Sequence, residues 1–133
     1  MKENNIFDLM RYFWRGRTSC GIDLGEFFIV TGGIDWLTPT RTVSKYSKSG
    51  WVEDLHSLLN ARSSHACSQY KDERGGLVML VTGGWSREAI DSTEISDDLG
   101  VSWRSVTSLP SNRKRLQAVP YNNKILIFGK SNF

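Results

Sequence analysis

The densest group of chemically capable side chains in this 133-residue sequence is His65-Ala66-Cys67, with Tyr70 close behind. An imidazole and a thiol two residues apart on a strand share a face, so they could chelate a soft or borderline metal. Zinc and copper sites want three or four ligands, and the only other histidine is His56. His65 and Cys67 are therefore expected to pack within a strand, and neither a metal nor a cofactor is expected. The carboxylates come as neighbours: Glu53 and Asp54, Asp72 and Glu73, Asp97 and Asp98. Adjacent residues on a strand point to opposite faces, which makes poor acid–base pairs, and these positions read as turns. Glu94 is an acid inside the strand-like run Ser92-Thr93-Glu94-Ile95. No Gly-rich phosphate loop, nucleophile elbow or HExxH motif occurs. No catalytic residue is assigned, and the chain reads as a non-enzyme.

The bulk composition agrees with a folded binding protein. Apolar residues at 39% and charged residues at 23% exclude the low-hydrophobicity, high-charge signature of disorder. The length suits one ordinary domain. Net charge is +3, but residues 106–133 hold Arg113, Lys114, Arg115, Lys124, Lys130 and no acid, so +5 sits there and −2 on residues 1–105. Solvated, strand-flanking cations account for that tail, and no nucleic-acid partner is expected. Two cysteines, Cys20 and Cys67, do not make a disulfide framework. There is no Asn-x-Ser/Thr sequon, and the polar start with Asp8 and Arg11 interrupting residues 6–14 resembles neither a signal peptide nor a membrane span. These features lean toward an intracellular, cytoplasmic protein with no membrane contact.

What must position any site is a repeat of about fifty residues. Val30-Thr31-Gly32-Gly33 recurs as Val81-Thr82-Gly83-Gly84, Trp51 as Trp103, Arg62 as Arg113 and Tyr70 as Tyr121, at shifts of 51 or 52. A partial third copy runs from Leu116 to Gly129. Short β-branched and aromatic runs bounded by Gly, Asp, Asn and Ser predict strands. The strongest cover 27–31, 78–82 and 124–128, and weaker ones cover 20–24, 42–46, 51–53, 64–69, 92–95, 103–105 and 116–120. Gly75-Gly76 predicts a hairpin turn. The organisation is an irregular N-terminal segment over 1–18, then repeats over about 19–61, 62–112 and 113–133.

The order of apolar strand, Gly32-Gly33, Tyr46, Trp51, then Arg62 and His65, followed by Gly83-Gly84, Trp103 and Arg113, resembles the Kelch repeat of β-propellers. The resemblance covers roughly residues 20–133. It implies an all-β fold, a Kelch-type propeller fragment of about two four-stranded antiparallel blades plus half of a third. Paired glycines permit positive φ and close backbone approach, while Trp and Tyr fill the wedge between sheets, so these residues are expected to be architectural. The second copy is expected to carry Ile95 where the first has Tyr46. In the third copy Leu116 stands for His65, and Gly129-Lys130 for Gly-Gly.

Loops on a rigid β scaffold are the usual recognition sites. Those after each Gly-Gly hold Trp36 and Arg41, then Trp85 and Arg87, residue types enriched at binding hot spots. The resemblance implies a protein–protein interaction module, as in ubiquitin-ligase substrate adaptors or cytoskeletal scaffolds. The alternative it implies is part of a Kelch-type copper oxidase or sialic-acid epimerase. An open stack of blades leaves unpaired strand edges, so self-association is also expected.

Overall fold

The computed structural model describes residues 18–52 and 57–131. The segment 1–17, Glu53, Asp54 and His56 lie outside the described residues, as does the side chain of Trp51. Among the described residues every regular element is a β-strand, and all pairing is antiparallel. The first sheet has the order β1 (Cys20–Asp23), β2 (Phe27–Thr31), β5 (Val43–Ser47), β6 (Gly50–Val52). A small hairpin, β3 (Ile34–Asp35) and β4 (Thr38–Pro39), sits in the connection between β2 and β5. The second sheet is β7 (Ala66–Lys71), β8 (Leu77–Thr82), β9 (Thr93–Ser96), β10 (Arg104–Val106) in sequential order. A third sheet is the hairpin β11 (Arg113–Tyr121) and β12 (Lys124–Ser131).

Local chemistry sets the turns. Asn122 and Asn123 both adopt positive φ, at 48° and 58°, between β11 and β12. That is the two-residue primed turn whose twist matches the flanking strands, and asparagine tolerates it. Between β7 and β8, Asp72 accepts from the amides of Arg74 and Gly76 at 2.9 and 2.8 Å, with Gly75 at φ 80°. Asp98 organises the turn after β9, accepting from Ser96 Oγ and from the Ser102 amide, each at 2.8 Å. Hydrogen bonds, chiefly from Ser102, hold its carboxyl below the usual carboxylate range. The acids at these turns are thus local fasteners.

The core lies between the first two sheets. Ile22, Ile29, Val43, Leu58, Cys67, Met79, Val81 and Trp103 form one buried cluster. Trp103 is the expected wedge, supplied from just ahead of β10. Strand β7 packs against both β1 and β11, so the first strands of the three units stand side by side. The same backbone bonds recur at each seam. The Ser64 amide donates to Thr18 O at 3.0 Å and the Arg115 amide to Ser64 O at 2.8 Å; all three residues have positive φ. The Gly33 amide donates to Arg62 O at 2.9 Å and the Gly84 amide to Arg113 O at 2.6 Å.

The glycine pairs earn their place by proximity. A Cβ on Gly32 would collide with Arg62 O and lie 2.8 Å from His65 Cε1, and one on Gly83 would collide with Leu116 Cδ1 and sit 2.9 Å from Arg113 O. His65 and Leu116 thus occupy equivalent seats, as the repeat alignment expects.

Two expectations need correction. In sheet register Thr31 faces Val43 and Thr82 faces Thr93, so the shift drops from 51 to 50 across the loop after Gly-Gly. The counterpart of Tyr46 is therefore Ser96, and Ile95 corresponds to Lys45. The loop is shorter by a residue in the second unit, a change invisible to alignment on Gly-Gly and Trp. The cysteines also differ from the expectation, for Cys20 of β1 and Cys67 of β7 form a disulfide, with Cα atoms 6.0 Å apart. Neither sulfur is available to a metal with His65. Such bonds persist in oxidising surroundings, against the intracellular lean drawn from cysteine count.

Candidate interaction surface

Trp36 and Leu37 form the tip of the β3–β4 hairpin, 93% and 90% exposed. Trp36 has φ 58°, a left-handed conformation that costs a bulky residue of order 1 kcal/mol. The stem is anchored below it. Pro39 is buried, the Thr40 amide donates to Gly33 O at 2.9 Å, and the Arg62 amide donates to Thr40 O at 3.0 Å. Arg41 is exposed at the base of this loop. A large apolar side chain thus stands in water on a fixed support.

The matching loop of the second sheet is built differently. Trp85 is half-buried, and its backbone exchanges hydrogen bonds with Ser63 at 2.8 and 3.0 Å, so it lines the seam rather than the tip. Arg87, exposed with φ 68°, holds the place that Trp36 has in the first loop, since each follows its glycine pair by the same interval. Trp36, Arg41 and Arg87 are thus surface groups, and Trp85 is partly architectural.

Sequence reasoning noticed Glu94 without finding its role. Its carboxylate meets the Arg62 guanidinium at 2.7 Å, both side chains fully buried. It also accepts from the Leu59 and Asn60 amides at 2.6 and 3.1 Å. Arg62 further donates to Gly83 O, Ser92 O and Ser92 Oγ, each at 2.9 Å. Burial pushes the guanidinium below its ordinary pKa while Glu94 pulls it back up. Out of solvent reach, the pair ties the segment joining the two sheets onto β8 and β9. The signal that could have found it is a strand acid in the same unit as the repeated arginine.

His65 is buried in the same seam. Its Nε2 lies 2.9 Å from Thr31 Oγ1, and Nδ1 has no partner. Burial first, then the charge of Arg62, pushes its pKa down to about 3. The folded state therefore holds a neutral imidazole, while the unfolded chain protonates near 6.5. Because the folded pKa is depressed, the stability is complete above about pH 6.5 and is lost as pH falls toward 3. Between pH 7.5 and 5 the loss expected from this group is about 2 kcal/mol. Thermal melts should show that slope in the parent, and His65→Leu, which copies Leu116, should flatten it. An unchanged slope would remove His65 as its source.

Among the described residues no three His, Cys, Asp or Glu side chains gather as a metal site, and no helix is long and apolar enough to cross a membrane. No protein-family model matches the chain, and no curated protein matches it.

Proposed function

We propose that the chain is a non-catalytic protein–protein interaction module, part of a Kelch-type propeller, that presents the Trp36–Leu37 tip to a protein partner. The observation that carries this reading is a tryptophan almost wholly in water and in a conformation that favours glycine or asparagine. A scattered exposed apolar residue is ordinary. Two adjacent ones at a strained tip, on an anchored stem, are better explained by a surface that binds there. The four-stranded antiparallel sheets, the repeated seam bonds and glycines closed in by backbone support the propeller reading. The buried state of Arg62, His65 and Glu94 favours binding over chemistry, since these groups are sealed into seams.

Substitution at the tip separates binding from folding. Trp36→Asn should raise stability by about 0.5–1 kcal/mol through relief of the left-handed strain, measured by urea unfolding. The same variant should lose photo-crosslinking to a protein partner that the parent captures from the tip. Retained capture by Trp36→Asn and by Leu37→Asp would overturn the assignment of this loop.

A further inference from the structure

The loop that carries Trp36 is closed at its neck by one residue of the next unit. The Gly33 amide donates to Arg62 O at 2.9 Å, the Arg62 amide to Thr40 O at 3.0 Å and the Thr40 amide to Gly33 O at 2.9 Å. His65 lies buried against the base of that neck. Its Nε2 is 2.9 Å from Thr31 Oγ1, and its ring comes so close to Gly32 that a Cβ there would lie 2.8 Å from Cε1. Gly84 closes on it from the other unit, where a Cβ would lie 2.8 Å from His65 Cβ. The next seam makes the same ring of bonds: Gly84 amide to Arg113 O at 2.6 Å, Arg113 amide to Ile90 O at 3.1 Å, Ile90 amide to Gly84 O at 3.0 Å. There Leu116 takes the seat against the glycine. A leucine is therefore enough to fill such a seat, and what the imidazole adds in the first seam is one hydrogen bond and a place for a proton.

We propose that His65 is a pH-sensitive catch on the Trp36 loop, whose protonation opens the neck formed by Gly33, Thr40 and Arg62 while the first and second sheets stay folded. A charged imidazole carries a donor on both nitrogens, and Nδ1 has no acceptor in the seam. The surroundings oppose the charge as well. Arg62 is a cation, and Glu94 of β9 is already bound to it at 2.7 Å. From β1 and β7 come Cys20 and Cys67, which are joined in their disulfide and do not titrate. From β2 comes the neutral Thr31, the glycine pairs bring no ionisable group, and Arg115 of β11, whose amide donates to Ser64 O, is a further cation. Opening the neck gives the ring to water, where it takes its proton near 6.5. Its bearing on binding rests on the role proposed for Trp36; the catch itself is read without a partner.

Native-state hydrogen exchange of the intact chain, followed amide by amide and corrected for the intrinsic rate at each pH, provides the test. The Gly33, Thr40 and Arg62 amides should lose protection about 30-fold between pH 7.5 and 5, as expected of a ring that titrates near 6.5 when open and about 3 when closed. That loss should be insensitive to dilute urea, because opening a neck exposes little surface. Met79 and Val81 of the buried cluster should exchange more slowly, with the steep urea dependence of global unfolding. His65→Leu should abolish the pH effect at all three neck amides. The catch is ruled out if those amides exchange only together with Met79 and Val81, if their protection is equal at the two pH values, or if His65→Leu retains the loss. The urea and pH readings come from the parent protein, so misfolding of the variant does not mask the answer. Retained capture by the Trp36 and Leu37 variants would remove the binding role and leave these exchange results standing.

Discussion

Replacing Glu94 with alanine is expected to destabilise the protein by about 3–5 kcal/mol, the cost of leaving a buried charge without its partner. The residue does more than pair with Arg62, because the amides of Leu59 and Asn60 end on the same carboxylate. Its removal leaves a fully buried guanidinium without its counter-charge and takes the acceptor from two partly buried backbone donors. Each orphaned group carries a desolvation penalty of its own. Small domains have about 5–15 kcal/mol in total, so the variant should sit near the edge of folding. Urea unfolding gives the number, and an unfolding free energy within about 1 kcal/mol of the parent would refute the role given to this carboxylate. Arg62→Met with Glu94→Leu should cost less than Glu94→Ala alone, since it removes both charges together.

Reduction of the Cys20–Cys67 disulfide is expected to cost about 4 kcal/mol, for a sequence separation of 47. The bond joins the first strand of one sheet to the first strand of the next, so it closes a loop that contains nearly a whole repeat. Most of the effect lies in the unfolded chain, which regains freedom when the link opens. Cys67→Ala with Cys20→Ala should therefore lower the unfolding free energy by a similar amount while near-ultraviolet circular dichroism of the folded state changes little. A thiol titration of the unreduced protein should find no reactive sulfhydryl, and addition of dithiothreitol should bring the parent midpoint down to that of the double variant. If reductant leaves the midpoint where it was, the crosslink contributes no stability.

The two effects act on one seam from opposite sides. Around it, Cys67, Met79 and Val81 join Ile22 and Ile29 in the buried cluster, while Arg62, His65 and Glu94 supply the polar layer. Loss of either fastener should be felt across the contact between the first and second sheets, and loss of Glu94 also at the β3–β4 stem, where Thr40 O accepts from the Arg62 amide.

Much of the strand pattern was legible in the chain, because short β-branched runs bounded by Gly, Asn and Asp leave little other choice. The expected strands at 27–31 and 20–24 fall on β2 and β1, and 78–82 falls within β8, all within a residue of their observed ends. The glycine pairs were legible for the same reason: their φ angles of 59°, 110°, 63° and 99° are conformations that a side chain resists. The β3–β4 hairpin escaped notice, since two-residue strands leave no periodicity. Trp36 and Trp85 looked alike in sequence, yet one is a tip and the other a seam residue, because Trp85 directly follows its glycine pair while Trp36 stands three residues after its own, where the second loop has Arg87.

By itself the sequence determined an all-β chain of repeated short strands, with positive-φ glycines at the strand ends and Trp103 in the buried cluster, because those choices follow from local sterics and apolar periodicity. Only the tertiary structure decided that Cys20 meets Cys67, that Glu94 neutralises Arg62, and that Arg113 reaches Gly129 O as Arg62 reaches Gly83 O. Each of those pairings joins residues more than fifteen positions apart, and which distant groups meet depends on how sheets pack, a relation that no local pattern encodes.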